Sequence, residues 1–342
     1  MKKRLRWSIA AVLLLLAAAA VSLVAPAQAP PPGTIIDIDR GSSTWQIGDQ
    51  LARHGVLRYG WQLALVRLLQ PNRKLQAGEY QFTKPATPWQ VFDRLARGDV
   101  HFYELRIPEG YNLFDIAKAV GEQGLITEAA FLKAAQDPKL IKDLAPTAPS
   151  LEGFLFPSTY RLTRVTTAEA LCALMVAQFR REWAALKPTQ PVLPTVILAS
   201  LVEKETSIPS ERALVAGVYA KRLAIGMKLD ADPTTIYSTL LLGNWRGTIY
   251  RSDLDRDHPY NTYKTVGLPP GPIANPGSAA LAAALHPAAT DNLFFVARAD
   301  GSGGHRFSPN AAAHQRAVTE YRRGQQKTAP PTTLNAAPQR AH

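Results

Sequence analysis

The chain has 342 residues, of which 46% are hydrophobic and 19% are charged, and its formal net charge is +12. This length supports two or three domains whose cores need no covalent cross-links, and the single cysteine, Cys172, excludes a disulfide bond within the chain. The apolar neighbours of Cys172 predict a buried thiol without a chemical role. The basic excess predicts an acidic partner, which is nucleic acid, anionic lipid or a polyanionic wall polymer.

The first predicted element is an apolar helix near the N-terminus. Basic residues at positions 2, 3, 4 and 6 precede an apolar run from Trp7 to about Ala25, which is long enough to cross a bilayer at about 1.5 Å per residue. Because a basic flank stays in the cytoplasm, the rest of the chain is expected outside it, and nucleic acid is not expected as a partner. We predict a retained single-pass anchor and an Ala/Pro-rich stalk over residues 1–33. Cleavage of a signal peptide at Ala27-Gln28-Ala29 is the alternative.

Residues 34–125 repeat one unit three times: an extended segment, a polar turn and a helix. The extended segments begin near Ile35, Tyr80 and Glu104, and each helix carries apolar residues at helical spacing. A further amphipathic helix is predicted from about Trp61 to Leu69. These units resemble LysM-like wall-binding modules. We therefore predict an α+β region here, which is either a glycan-binding module or a plain small domain.

A second domain with mixed α+β structure is predicted over residues 126–326, and a disordered tail rich in Pro, Ala and Thr is predicted over residues 327–342. Within the second domain, Thr195 is expected to cap a helix that ends at Glu205. Two features support a helix here: Pro194 lies just before Thr195, and apolar residues follow Thr195.

Helical periodicity separates the two glutamates at the end of this helix. Glu205 lies near the middle of the apolar stripe, whereas Glu203 projects from the opposite face, where solvent is expected. An inward carboxyl loses hydration, which raises its pKa and suits a general acid. Periodicity alone leaves two alternatives for Glu205, namely an exposed residue and one half of a buried ion pair.

Ordered motifs in the second half of the chain carry a family resemblance. They include Ala199–Thr206 (ASLVEKET), Leu229–Tyr237 (LDADPTTIY), Tyr260–Tyr263 (YNTY), Gly267–Gly277 (GLPPGPIANPG) and Gly303–Phe307 (GGHRF). Together with the apolar helix and the LysM-like region, they resemble the membrane-bound endolytic murein transglycosylases, a YceG-like family. Position 158 departs from this pattern, because Ser158 stands where the resemblance leads us to expect Asp.

The resemblance implies a lytic transglycosylase that cuts the bond between N-acetylmuramic acid and N-acetylglucosamine and leaves 1,6-anhydro ends. Lytic transglycosylases carry their acid as a Glu followed by Ser or Thr, which selects Glu205 as the catalytic residue. The predicted substrate-binding residues supply carboxyl, amide and hydroxyl groups beside aromatic faces. They are Glu152, Asp232, Tyr237, Tyr260, Asn261, Thr262 and Tyr263.

Asp232 has a second interpretation as the cap of the helix that follows it, and the Asp-Pro order favours that interpretation. No metal ion and no cofactor are expected, because the histidines lack an H-E-x-x-H arrangement and a thiolate companion. The segment 301–304, Gly-Ser-Gly-Gly, is expected to form a hairpin turn.

The resemblance also implies a place and a partner: the extracytoplasmic side of the cytoplasmic (inner) membrane, beside peptidoglycan synthases, where cutting nascent strands ends their elongation. Two other functions stay open from the sequence. A hydrolytic muramidase needs a second carboxylate, for which Glu152 is the candidate. A noncatalytic peptidoglycan-binding scaffold needs no acid.

Overall fold

The computed structural model describes residues 2–27 and 30–328, which form two compact units. The first unit comprises the residues up to Leu105 together with Arg161–Thr166, and the second comprises Arg106–Tyr160 and the residues from Thr167 onward. Positions 329–342, which hold most of the predicted disordered tail, lie outside the described residues, as do Gln28 and Ala29 of the predicted cleavage site.

The first unit packs short helices on an antiparallel strand pair. Its helices are α1 (Lys2–Val24), α2 (Thr44–Arg53), α3 (Trp61–Leu69) and α4 (Pro88–Arg97), and its paired strands are β1 (Ile35–Ile38) and β2 (Gly78–Gln81). Ser43 and Thr87 begin α2 and α4, because each accepts a hydrogen bond from the backbone three residues ahead and completes a capping box. Their apolar faces join Tyr80 in one core.

The last turn of α1 is part of this core. Leu23 is 6% exposed and lies in the same apolar cluster as the residues of α3 and α4. The Gln62 side chain donates to the carbonyl oxygen of Ser22 at 2.8 Å, and the Ala27 N–H donates to the Ala86 carbonyl at 3.1 Å. The chain at Ala27, inside the segment predicted as a stalk, therefore bonds to the folded unit.

The predicted alternation of strand, turn and helix is confirmed. β1 precedes α2, β2 precedes α4, and β3 (Tyr103–Arg106) precedes α5 (Leu113–Glu122), with α3 between the first two pairs. β3 pairs with β4 (Thr159–Leu162), and the boundary between the units passes through both strands. As a result, the helix of the third copy, α5, belongs to the second unit.

The second unit is mainly helical and carries one hairpin. After α5 it contains α6 (Glu128–Ala135), a 3-10 turn (Pro138–Ile141), α7 (Ala168–Ala185), α8 (Val192–Glu205), α9 (Pro209–Ala224), α10 (Asp232–Leu241), α11 (Arg251–Leu254), α12 (Ser278–Leu285) and α13 (Ala311–Thr328). The antiparallel strands β5 (Phe294–Ala297) and β6 (His305–Ser308) enclose the predicted turn at 301–304. The α+β class is confirmed.

α8 is the central helix of the second unit. Every residue from Thr195 to Val202 is buried, and the helix contacts α9, α10 and α12. Cys172 is also buried, on α7, where burial raises the pKa of its thiol to about 12. The thiol is therefore a core group, as predicted.

Candidate active site

α8 starts four residues earlier than its sequence suggests. It begins at Val192 after Pro191, and the Thr195 hydroxyl donates to the Pro191 carbonyl at 2.8 Å. The prediction that Thr195 is the cap is wrong, because Pro194 lies in the first turn, where a missing backbone N–H breaks no helical hydrogen bond. The end of the helix at Glu205 is as predicted.

Glu205 is held by a tyrosine of the next helix. The hydroxyl of Tyr219, which is buried on α9, donates to Oε1 of the half-buried Glu205 at 2.8 Å. Burial raises the pKa of Glu205 above its usual 4.5, the hydrogen bond from Tyr219 lowers it, and the charge of Asp232 raises it again. The net rise keeps this carboxyl protonated to higher pH than an ordinary glutamate, which is what a general acid needs.

A cavity of about 540 Å³ opens beside this carboxyl. This volume lies within the usual range of sites for small molecules and cofactors. Aromatic rings, carboxylates and a guanidinium share its wall, and groups of these kinds can contact the faces and the hydroxyl groups of a sugar. The lining residues are Glu205, Tyr219, Arg222, Leu229, Asp230, Asp232, Tyr263, Phe294, Phe295, Val296, His314 and Val318.

Arg222 contributes a fixed positive charge to the cavity wall. Its Nε donates to the Leu293 carbonyl at 2.6 Å, its Nη1 donates to the Leu229 carbonyl at 2.8 Å, and its guanidinium lies 5.0 Å from the ring centroid of Phe294. Asp230 lies 3.5 Å from the same guanidinium. Because carbonyl groups hold this cation rigidly, it joins β5 to the loop before α10 and closes one side of the cavity.

Asp232 belongs to the cavity and is not the cap of α10. Ala231 occupies the cap position without a side-chain hydrogen bond, and Asp232 is the first residue of the helix. Its Oδ1 accepts a hydrogen bond from the Tyr263 hydroxyl at 2.7 Å. The cap interpretation is therefore wrong, and a second carboxylate stands in the same wall as Glu205.

Asn261 and Thr262 are fully buried beneath this wall. The Asn261 amide donates to backbone carbonyls of the 253–256 turn at 2.7 to 3.3 Å, and its oxygen accepts the N–H of Tyr263 at 3.1 Å. The Thr262 hydroxyl lies 2.9 Å from the hydroxyl of Thr234. Their hydrogen bonds are made within the protein, so this geometry favours a role in shaping the loop that presents Tyr263 over direct sugar contact.

Glu152, Tyr237 and Tyr260 form a separate buried cluster that does not line the cavity. Glu152 accepts the Leu113 N–H and the Asn275 side-chain amide, both at 2.8 Å, and burial raises its pKa to about 8. The rings of Tyr237 and Tyr260 lie 5.2 Å apart. This placement favours a structural role for the three residues, and it does not supply Glu152 as a partner for Glu205.

Glu203 does not face solvent, so that prediction is wrong. Its side chain is 6% exposed, Oε2 accepts the Gly277 N–H at 3.0 Å, and Arg212 lies 3.7 Å from Oε1. The physical reason is that α8 is buried on all sides, so the face opposite Glu205 is covered too. Burial raises the pKa of Glu203, and the hydrogen bond from Gly277 opposes that rise.

Several cavity residues had no role in the sequence-based prediction: Tyr219, Arg222, Phe294, Phe295 and His314. Tyr219 and Arg222 are three residues apart on α9, so helical spacing would have put them on one face, although nothing in the sequence pairs that face with Glu205. Among residues 2–27 and 30–328, no group of three or more His, Cys, Asp or Glu side chains is arranged to hold a metal ion.

The fold and the site define an α+β protein whose cleft is centred on one protonatable glutamate at the end of a buried helix. A family model described as the YceG-like family matches residues 36–320, and the chain belongs to that family.

Curated relatives carry a more specific name. A protein of Streptococcus pneumoniae serotype 2 (strain D39), named endolytic murein transglycosylase, is 30% identical over 319 residues, which cover 84% of this chain and 58% of that protein. A Bacillus subtilis (strain 168) protein of the same name is 30% identical over 324 residues, which cover 88% of each. The chain therefore spans less than two thirds of the pneumococcal relative.

A solved structure agrees with the family assignment. The crystal structure of a putative yceG-like protein from Listeria monocytogenes matches with a TM-score of 0.53 and 31% sequence identity, and the match covers 83% of this chain and 98% of that one.

Proposed function

We propose that the protein is an endolytic murein transglycosylase that cuts the bond between N-acetylmuramic acid and N-acetylglucosamine in peptidoglycan strands. The observation that carries the proposal is the Glu205 carboxyl, which has a raised pKa and is held by Tyr219 in the wall of a cavity of about 540 Å³. Relatives with this name align with most of the chain, and the alignments support the same substrate.

The chemistry follows from one group that gives and then takes a proton. Protonated Glu205 donates to the bridging oxygen as the bond from that oxygen to C1 of the muramic acid breaks. The resulting carboxylate removes the proton of the muramic acid 6-hydroxyl, whose oxygen bonds to C1 and closes the 1,6-anhydro ring. Water is not consumed, and the enzyme regains its proton. The Tyr219 hydroxyl stabilises the carboxylate between the two steps.

Asp232 has a role in either of two reactions. Its negative charge in the same wall stabilises the positive charge that develops at C1 in the transglycosylase reaction. A second carboxylate is also what a hydrolytic muramidase requires, as nucleophile or as the base that activates water. Because Asp232 lies in the cavity wall with Glu205, a hydrolytic muramidase is the second candidate function.

Product analysis separates these functions. Purified full-length protein is incubated with glycan strands, and the new ends are weighed by mass spectrometry. We expect anhydro ends, which are lighter by one water than hydrolysed ends. Reducing ends alone would identify a muramidase, and binding without any cleavage would identify a scaffold.

Glu205→Gln is the decisive variant, because glutamine keeps the shape and cannot deliver a proton. We expect it to fold and to bind strands without cutting them. Glu203→Gln is the matched control, since it makes the same change two residues away on α8 and keeps an oxygen for the Gly277 N–H. Cleavage by Glu205→Gln at the normal rate would refute the assignment.

We also propose that α1 is a retained anchor in the cytoplasmic membrane, with the folded units on the extracytoplasmic side. Residues Arg6–Val24 are long and apolar enough to span a bilayer, and the basic residues before them favour this orientation. Cleavage after Ala29 would remove Leu23 from the core of the first unit, which supports retention. The test is the mass of the mature protein in isolated membranes, which should include residues 1–29.

The first unit is proposed to be a LysM-like glycan-binding module. A cavity of about 370 Å³ lies between the loop after β1 and the segment before β2, where Asp39, Arg40, Ser42 and Gln76 offer polar groups for sugar hydroxyls. In the Glu205→Gln background, Arg40→Ala should weaken cosedimentation with peptidoglycan. Unchanged cosedimentation would assign strand binding to the second unit alone.

We propose that the anchored enzyme acts beside membrane-bound peptidoglycan synthases, where cutting the nascent strand ends its elongation. Cells that carry only Glu205→Gln should therefore make longer glycan strands, which chromatography of the isolated strands measures. Crosslinking in membranes tests whether a synthase is a neighbour.

A further inference from the structure

The exposed side of α3 is apolar. Trp61, Leu65, Leu68 and Leu69 lie on one arc of the helix at spacings of three to four residues. Leu68 is 74% exposed, Leu69 is also exposed, and Trp61 and Leu65 are partly buried. These four residues form the α3 stripe. Leu65 also packs against the core of the first unit, so the side chains in full contact with water are those of Leu68 and Leu69. Large apolar side chains exposed side by side on one short helix are a sign of a binding surface.

Aromatic and basic groups border the α3 stripe at its N-terminal end. The ring of the exposed Tyr59 stacks on Trp61, with 6.1 Å between ring centroids and 12° between ring planes. Arg58 directs its guanidinium to the carbonyl of Pro26 at 3.5 Å, two residues beyond the end of α1. Tyr and Trp beside a basic residue are typical of the level at which lipid headgroups meet water.

The contact between α3 and α1 sets the position of this stripe. Gln62, the neighbour of Trp61, hydrogen-bonds both the carbonyl and the hydroxyl oxygen of Ser22, at 2.8 and 3.0 Å. Ser22 lies two residues before the end of the apolar span at Val24. Because α1 ends inside the core of the first unit, α3 is held where α1 leaves the hydrocarbon layer.

We propose that the α3 stripe inserts into the surface of the phospholipid membrane that α1 spans, with Tyr59 at the headgroup level and Arg58 next to lipid phosphates. This inference rests on the proposed role of α1 as an anchor. It adds that the first unit lies against the bilayer and binds it through a second contact. If a second copy of the chain or a partner protein occupied the α3 stripe instead, it would cover the same apolar side chains, and these side chains would not contact lipid.

Site-specific fluorescence in lipid vesicles tests the proposal with the full-length chain. Cys172→Ala removes the single native thiol, which is buried, and one cysteine is then introduced at a chosen position and labelled with a polarity-sensitive fluorophore. The protein is reconstituted into vesicles of phosphatidylethanolamine and phosphatidylglycerol. Leu68→Cys reports the α3 stripe and Leu14→Cys reports the middle of α1. Val165→Cys is the matched control, because Val165 is an apolar residue of the same unit with 72% exposure.

We expect a blue-shifted emission that lipid-soluble quenchers reduce for the labels at positions 14 and 68, and a water-like emission for the label at position 165. A lipid signal at position 14 with a water-like signal at 68 would overturn the proposal and leave the anchor in place. A water-like signal at position 14 would overturn the anchor and this inference with it. Introduction of Leu69→Asp beside the label at 68 should abolish the shift, and a shift that survives this charge would also refute insertion.

Discussion

The hydrogen bond between Tyr219 and Glu205 can be removed without removing the ring that positions it. Tyr219→Phe deletes one hydroxyl and keeps the edge-on packing against Phe295, whose ring centroid is 5.8 Å away. A hydrogen bond to a charged group contributes about 1.5–3 kcal/mol. The carboxylate between the two proton transfers loses this stabilisation, so the rate should fall by about 10- to 150-fold at about 1.4 kcal/mol per tenfold change.

The same substitution has a second effect, on the pH dependence. The Tyr219 hydroxyl favours the ionised form of Glu205 and lowers its pKa, so its removal should raise that pKa further. Activity is lost at alkaline pH when the acid gives up its proton. The alkaline limb of the pH profile should therefore move to higher pH in the variant.

The assay is the initial rate of strand cleavage across the pH range, together with the melting temperature of each protein. Tyr160→Phe is the control, because it removes a buried tyrosine hydroxyl that donates to the Phe156 carbonyl and does not line the cavity. The control should lose some stability and keep the wild-type pH profile. An unchanged rate and an unchanged alkaline limb for Tyr219→Phe would show that the hydroxyl does not act on Glu205.

Three further predictions concern stability. Burial raises the pKa of Glu205 above 4.5, so the native state is destabilised relative to the unfolded state as pH rises above 4.5. Glu205→Gln should therefore melt at a higher temperature than the wild type near pH 8, and equal melting temperatures in a fluorimetric scan would contradict this prediction. Glu152→Ala leaves the Leu113 N–H without its acceptor and should cost about 1–3 kcal/mol in urea unfolding with an unchanged KM, whereas a raised KM at full stability would favour sugar contact. Gly217→Ala would place Cβ 2.2 Å from the Ala288 carbonyl, so it should destabilise by about 1–3 kcal/mol despite the better helix propensity of alanine, and a gain in stability would refute this close packing.

Periodicity located Glu205 correctly and misplaced Glu203, and both results have one cause. The argument assumes a helix with one apolar face and one solvated face. α8 is buried on all sides, so the inward position of Glu205 is reproduced while the face of Glu203 is covered as well. A helix that is apolar almost all round gives no information about which of its polar residues reach water.

The polar residues in and beneath the cavity wall show a second limit of prediction from sequence. Asn261 sits in a loop between tyrosines, a pattern typical of a sugar site, yet its amide bonds the carbonyls of its own loop. Tyr219, by contrast, reaches Glu205 from a helix that starts only four residues later, and the path of the short loop between α8 and α9 decides this contact. Sequence patterns report which groups are polar, whereas the partners of those groups depend on the path of the backbone in three dimensions, even between neighbouring elements.

Glu205 is the final residue of α8, and this position has its own electrostatic consequence. The carbonyl groups in the last turn of a helix are oriented so that its C-terminal end carries a partial negative charge. This backbone dipole disfavours an ionised carboxylate at that end and acts in the same direction as burial. The orientation of main-chain peptide groups therefore contributes to the raised pKa of Glu205. This contribution persists through any side-chain replacement in the cavity that leaves α8 intact.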